Sequence, residues 1–71
     1  MMTIHANPPK TCDTCPNLIT TEFSDAAVPA AMGRWGNLCP DCAKLHNVRY
    51  GTGLGQRYEL SSDGKYHKVE G

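Results

Sequence analysis

Two stretches, Cys12-Asp13-Thr14-Cys15 and Leu38-Cys39-Pro40-Asp41-Cys42, decide how this chain folds. Each carries a C-x2-C pair, and residues 16–38 form a 23-residue spacer between them. Two residues between cysteines let a tight turn aim both sulfurs at one point. Two such turns can close a tetrahedron around Zn(II) with metal–sulfur bonds of about 2.3 Å. The spacer is longer than the most common roughly 15–20 residues, but it suits a strand-turn-strand that carries the second knuckle back to the first. Cys12, Cys15, Cys39 and Cys42 are therefore the expected ligands of one structural Zn2+.

The rest of the composition makes such a staple necessary. The chain has 71 residues, of which 39% are hydrophobic and 7% aromatic, with one Trp, one Phe and three Tyr. A chain this short buries only about 60% of the surface its unfolded form exposes, and it usually needs a metal or disulfides in place of a large core. The length excludes a multi-domain enzyme, a dinucleotide-binding fold and a P-loop nucleotidase. Seven basic and seven acidic residues balance to +0, which argues against a nucleic-acid binder that works by bulk charge.

Disulfides are the rival staple. Residues 1–10 lack the apolar core of a signal peptide, and Pro8-Pro9 would interrupt one. No window approaches the ~18 apolar residues of a membrane span. The chain reads as cytoplasmic, without a membrane partner, where paired cysteines more often bind metal than each other. Iron is a second rival, because Cys39-Pro40-Asp41-Cys42 resembles half of a rubredoxin. A glycine usually follows the second cysteine of each rubredoxin pair and donates its amide to sulfur. Here Cys15 is followed by Pro16, which has no amide hydrogen, and Cys42 by Ala43. Four cysteines on one ion leave no open position for water, so neither a catalytic zinc nor an enzyme is expected. His46 could replace a cysteine, but a surface or supporting role is expected of it.

Around the knuckles, the reading divides the chain into a disordered leader (1–10), a zinc-binding domain (11–60) and a polar, frayed C-terminal tail (61–71). Within the domain, Leu18–Phe23 suits a strand, Ser24–Gly33 a hairpin connection and Arg34–Leu38 the returning strand. Pro40 and Asp41 open a short helix that Asn47 stops. Gly51–Gly55 is a loop, and Gln56–Leu60 is a last strand. The fold class is a small zinc-stapled α+β domain: two knuckles, a β-hairpin and a short helix. It is a treble clef if the second cysteine pair lies in the first turn of the helix, and a zinc ribbon if that pair sits on a second β-knuckle.

Loading with metal redistributes the charge. Four thiolates and Zn(II) sum to −2, and residues 1–42 already hold four acidic side chains against two basic ones. Residues 43–71 hold five basic against three acidic. Trp35 is expected to pack against the metal site and Phe23; otherwise it is an exposed anchor for a partner, with Arg34 beside it. The glycines of Gly51-Thr52-Gly53-Leu54-Gly55 would let amides approach a phosphate, but the lysine-serine pair of a phosphate loop is missing. With Arg49, Arg57, Tyr50 and Tyr58 around it, the loop could instead hold nucleic acid by charge and stacking.

The two C-x-x-C knuckles, Gly33-Arg34-Trp35-Gly36-Asn37-Leu38 running into the second, and Gly51-Thr52-Gly53-Leu54-Gly55-Gln56-Arg57-Tyr58 together resemble small zinc-ribbon proteins of tailed bacteriophages. The likeness spans roughly residues 11–60. It implies a four-cysteine zinc protein made in the cytoplasm of an infected bacterium, with no particular activity attached. The resulting expectation is a non-enzymatic interaction module that binds a host protein through Arg34, Trp35, Tyr50, Arg57 and Tyr58. Nucleic acid is the alternative partner, and a rubredoxin-like electron carrier the alternative function.

Overall fold

The computed structural model describes residues 4–71. Strands β1 (Glu22–Val28), β2 (Arg34–Leu38), β3 (Gly55–Leu60) and β4 (Tyr66–Glu70) form one antiparallel sheet in the order β2-β1-β3-β4. A 3-10 turn at Pro29–Ala31 links β1 to β2, and helix α1 (Pro40–Leu45) follows β2 directly. The result is a small α+β fold with a four-cysteine cluster.

β1 is the central strand, and its alternation decides where everything else goes. Successive side chains of a strand point to opposite faces, so Phe23 and Asp25 project to one side while Ser24, Ala26 and Val28 project to the other. Across the sheet, register places Tyr58 beside Phe23 and Leu38 beside Ser24. One face buries Val28, Leu38 and Ala43 against Cys12, Cys39 and Cys42. The other buries Phe23, Tyr58, Tyr66 and Ile19. Phe23 and Tyr58 stack at 5.1 Å between ring centroids, and Tyr66 meets Phe23 edge-on at 5.2 Å.

β1 lies further along the chain than Leu18–Phe23, the strand expected from β-branched residues. Only Ile19 of that run enters the core as a loop residue, while Asp25-Ala26-Ala27 are drawn into the sheet by partners on both sides. Small side chains suit the center here. Gly55 faces Ala26, and a Cβ at Gly55 would stand 2.5 Å from that of Ala26 and 2.6 Å from the Arg49 carbonyl oxygen. β2 and α1 fall where the sequence places them. Pro40 occupies the first helical turn, Asp41 sits near the positive end, and Asn47 closes the helix at φ 51°. The Val48 N–H then returns to the Ala43 carbonyl at 3.2 Å, a left-handed helix stop.

Both chain ends correct the expectation of unstructured flanks. Tyr66–Glu70, expected to be frayed, is the edge strand β4, paired with β3 through Leu60–Tyr66 and Glu59–His67. Its polar sequence fits a strand in which only Tyr66 is buried. Residues 4 and 5, within the expected disordered leader, lie along the outer edge of β4. Ile4 bridges His67, and the His5 N–H donates to the Tyr66 carbonyl at 2.9 Å. The His5 ring stands edge-on to Phe23 and Tyr58, 5.1 Å from each. Met1–Thr3 of that leader fall outside the described residues.

Candidate metal centre

The first knuckle is a miniature hairpin. Thr11 bridges Leu18, and the Cys12 N–H donates to the Asn17 carbonyl at 2.9 Å, which turns Cys12 and Cys15 inward together. The second pair comes from the start of the helix: Cys39 is the residue before it, and Cys42 lies in its first turn. An extended residue followed by helix swings both sulfurs to the same side. The four Sγ atoms all lie within 4.8 Å of one another, and Cys15 and Cys39 are 3.7 Å apart. Sulfurs bonded tetrahedrally at about 2.3 Å are separated by about 3.8 Å. All four cysteines are free thiols, so the cluster can hold a metal ion.

The electrostatics of the group follow from crowding. Cys12 is lowered to about 6: burial opposes ionisation, but hydrogen bonds from Thr14 and the Cys39 backbone outweigh it. Cys15 is raised to about 12, because burial and three neighbouring thiols overcome a backbone hydrogen bond from Asn17. Cys42 is also raised; hydrogen bonds to Thr14 and Cys15 favour its thiolate, but burial and the Cys39 and Cys12 sulfurs prevail. One thiolate forms readily, and each further negative charge meets the one before it. A dication is the chemical remedy for that repulsion.

Two contacts missed at the sequence level frame the sulfurs. Asn17 Nδ2 donates to Cys39 Sγ at 3.8 Å, and Thr14 Oγ1 lies 3.4 Å from Cys12 Sγ. The Asp13 N–H donates to the Asn37 carbonyl at 2.9 Å, while the Asn37 N–H donates to Asp13 Oδ2 at 2.7 Å. Asp13 and Asn17 are ordinary turn residues in sequence. Only the return of β2 beside the first knuckle reveals their second function. His46 caps the helix end, with its N–H on the Cys42 carbonyl, and does not join the sulfur cluster.

The five residues named as a partner surface do not share one face. Tyr58 is buried among the aromatic rings. Arg57 is held by Glu22 at 3.2 Å, by Glu70 at 2.9 Å and by Glu59, which stabilises its charge further. The Tyr50 hydroxyl lies 2.7 Å from the hydroxyl of buried Ser24. Arg34 and Trp35 remain, on the edge strand β2. Trp35 is 49% exposed and belongs to neither buried cluster, in place of the packing expected against the metal site and Phe23. Register sets it opposite Ala27, whose small side chain offers little to bury it. The glycine loop is occupied with itself. The Gly51 N–H donates to Gly55 O, and the Leu54 and Gly55 N–H groups both donate to Gly51 O, so these amides do not face outward as a phosphate cradle.

No protein-family model, curated protein or solved structure matches this chain. No helix among the described residues is long and apolar enough to cross a membrane.

Proposed function

We propose that this chain is a non-enzymatic zinc module of treble-clef type, in which Cys12, Cys15, Cys39 and Cys42 hold one structural Zn(II). The observation that carries the reading is the mutual approach of four sulfurs within 4.8 Å, three of them on buried cysteines. The first pair on a knuckle, followed by a β-hairpin, and the second pair at a helix start favour a treble clef over a ribbon. Zinc suits a closed thiolate tetrahedron and has no redox chemistry to control. Metal analysis of protein purified without added metal should find one zinc per chain and no visible absorbance. Iron, with a thiolate charge-transfer band, would establish the rubredoxin-like alternative instead.

The module's partner is a protein, and the resemblance to phage proteins makes it a protein of the host bacterium. The support is the near-zero net charge together with exposed Trp35 and Arg34 on β2, a residue pair favoured at binding hot spots. Capture from a bacterial lysate should lose its specific partner with Trp35→Ala, while the variant keeps its zinc. Equal capture by both proteins rejects this surface. Binding to nucleic acid with a salt dependence worth several phosphates would replace the protein partner with the alternative.

A further inference from the structure

We propose that Asp13 and Asn17 are positioning residues that fasten the first knuckle to the second, so that the protein itself sets the spacing of the four sulfurs. The proposal rests on the metal-module reading and adds to it the source of the cage's geometry. β2 is an edge strand, and alternate residues of an edge strand turn their backbone groups away from the sheet. Asn37 is such a residue. Both of its outward groups are taken by Asp13, one through the backbone and one through the carboxylate. Asp13 thus extends the sheet by a single residue, and that residue lies between the two cysteines of the first knuckle. Asn37 is two residues before Cys39, so the reciprocal pair fixes Cys12 and Cys15 against the strand that delivers the other two ligands.

Asn17 completes the fastening from the other end of the knuckle. Its carbonyl accepts from the Cys12 N–H, and its side-chain amide reaches Cys39 Sγ. One residue therefore touches one cysteine of each pair and spans the gap between the pairs. The N–H on Cys39 also draws off negative charge where four thiolates meet. Hydrogen-bonding partners of this kind commonly govern metal affinity by about 10- to 100-fold.

The test compares wild type with Asp13→Ala, Asp13→Asn and Asn17→Ala, using Zn(II) competition against a chromophoric chelator and Co(II) spectra. Amide exchange at Asn37 is followed in both the metal-free and the loaded protein. Asp13→Ala should weaken zinc binding by about 10- to 100-fold and speed Asn37 exchange at least about tenfold, even without metal. Asp13→Asn keeps an oxygen acceptor and should restore both to within about threefold of wild type. Asn17→Ala should weaken binding by about tenfold and move the sulfur-to-cobalt charge-transfer band to lower energy, because the Cys39 thiolate loses a donor.

Wild-type affinity and Asn37 exchange in Asp13→Ala would overturn the role of Asp13. An unshifted cobalt band with unchanged affinity in Asn17→Ala would overturn that of Asn17. If Asp13→Ala does not fold, Asp13→Asn and Asn17→Ala carry the test. If wild type binds no metal, the metal reading fails, while Asn37 exchange still decides whether the knuckles are fastened.

Discussion

Across the same four strands, one face buries Val28, Leu38 and Ala43 around four sulfurs, whereas the other buries Phe23, Tyr58, Tyr66 and Ile19 without any candidate ligand. The first set of side chains is small and the second is large. Aromatic rings bury about 150–250 Å² each and can hold a sheet face by area and stacking. The sulfur face has no ring in its buried cluster, so on the proposed reading its cohesion comes from a bound ion and from the hydrogen bonds around the knuckles. In so small a chain the single sheet serves as a partition between a core of packed rings and a core built around four cysteines. The aromatic side is also why folding need not depend wholly on the metal.

The largest expected effect comes from removing the metal. Structural zinc supplies on the order of 10 kcal/mol in comparable small domains, so a chelator should lower the thermal midpoint sharply. Followed by amide exchange, Ala43 on the helix and His46 at its end should lose protection before Tyr58 and Leu60. Simultaneous loss on both sides would break the comparison and make the two faces one cooperative unit. Next, Phe23→Ala should cost about 3–5 kcal/mol in denaturant unfolding and leave one zinc bound per chain. Loss of zinc from the folded variant would mean that the rings shape the cage.

Gly55→Ala tests the sheet between the faces. The added methyl would meet Ala26 and the Arg49 carbonyl, and overpacking of this kind costs about 1–3 kcal/mol. An unchanged denaturation midpoint would show that the center of the sheet can yield. The smallest effect belongs to Asp63, which is drawn below its usual pKa by the His67 hydrogen bond first and the Lys65 N–H second. A depressed carboxylate stabilises the fold above its unfolded pKa, and that contribution is lost as pH falls through the lower folded value. Asp63→Asn should therefore lower stability slightly at pH 7, where the ionised carboxylate contributes in full, and the difference from wild type should vanish as pH falls below about 4. A difference that persists at low pH would indicate that this turn supports β4 by other means.

The metal side was the more legible in sequence, because its chemistry is written in fixed spacings. Two C-x2-C pairs, Pro40 at the helix start and Asn47 at its end are local signals, and β2 follows from a short run between a turn and Cys39. The aromatic side is non-local. Nothing near Tyr66 indicates that it will meet Phe23, and His5 looked like part of a leader because its partners lie in three distant strands. β1 departs from the expected Leu18–Phe23 strand for the same reason: Ala26 and Ala27 have little strand preference of their own and are held by neighbours on both sides. Trp35 shows the opposite error. Its size suggested a core residue, but its position on an edge strand beside an alanine leaves it half exposed.

The order β2-β1-β3-β4 also has a consequence for synthesis on the ribosome. All four sulfurs, both knuckle fastenings and the β1–β2 hairpin lie within residues 1–42, so the cysteine half is complete before β3 has been translated. During that interval the second edge of β1 is bare, and Phe23 has neither Tyr58 nor Tyr66 to cover it. A nascent chain that captures its ion early would hold this hairpin in register while it waits, and one starved of metal would offer an unpaired strand to its neighbours. Metal supply would then govern the yield of the protein as well as its lifetime.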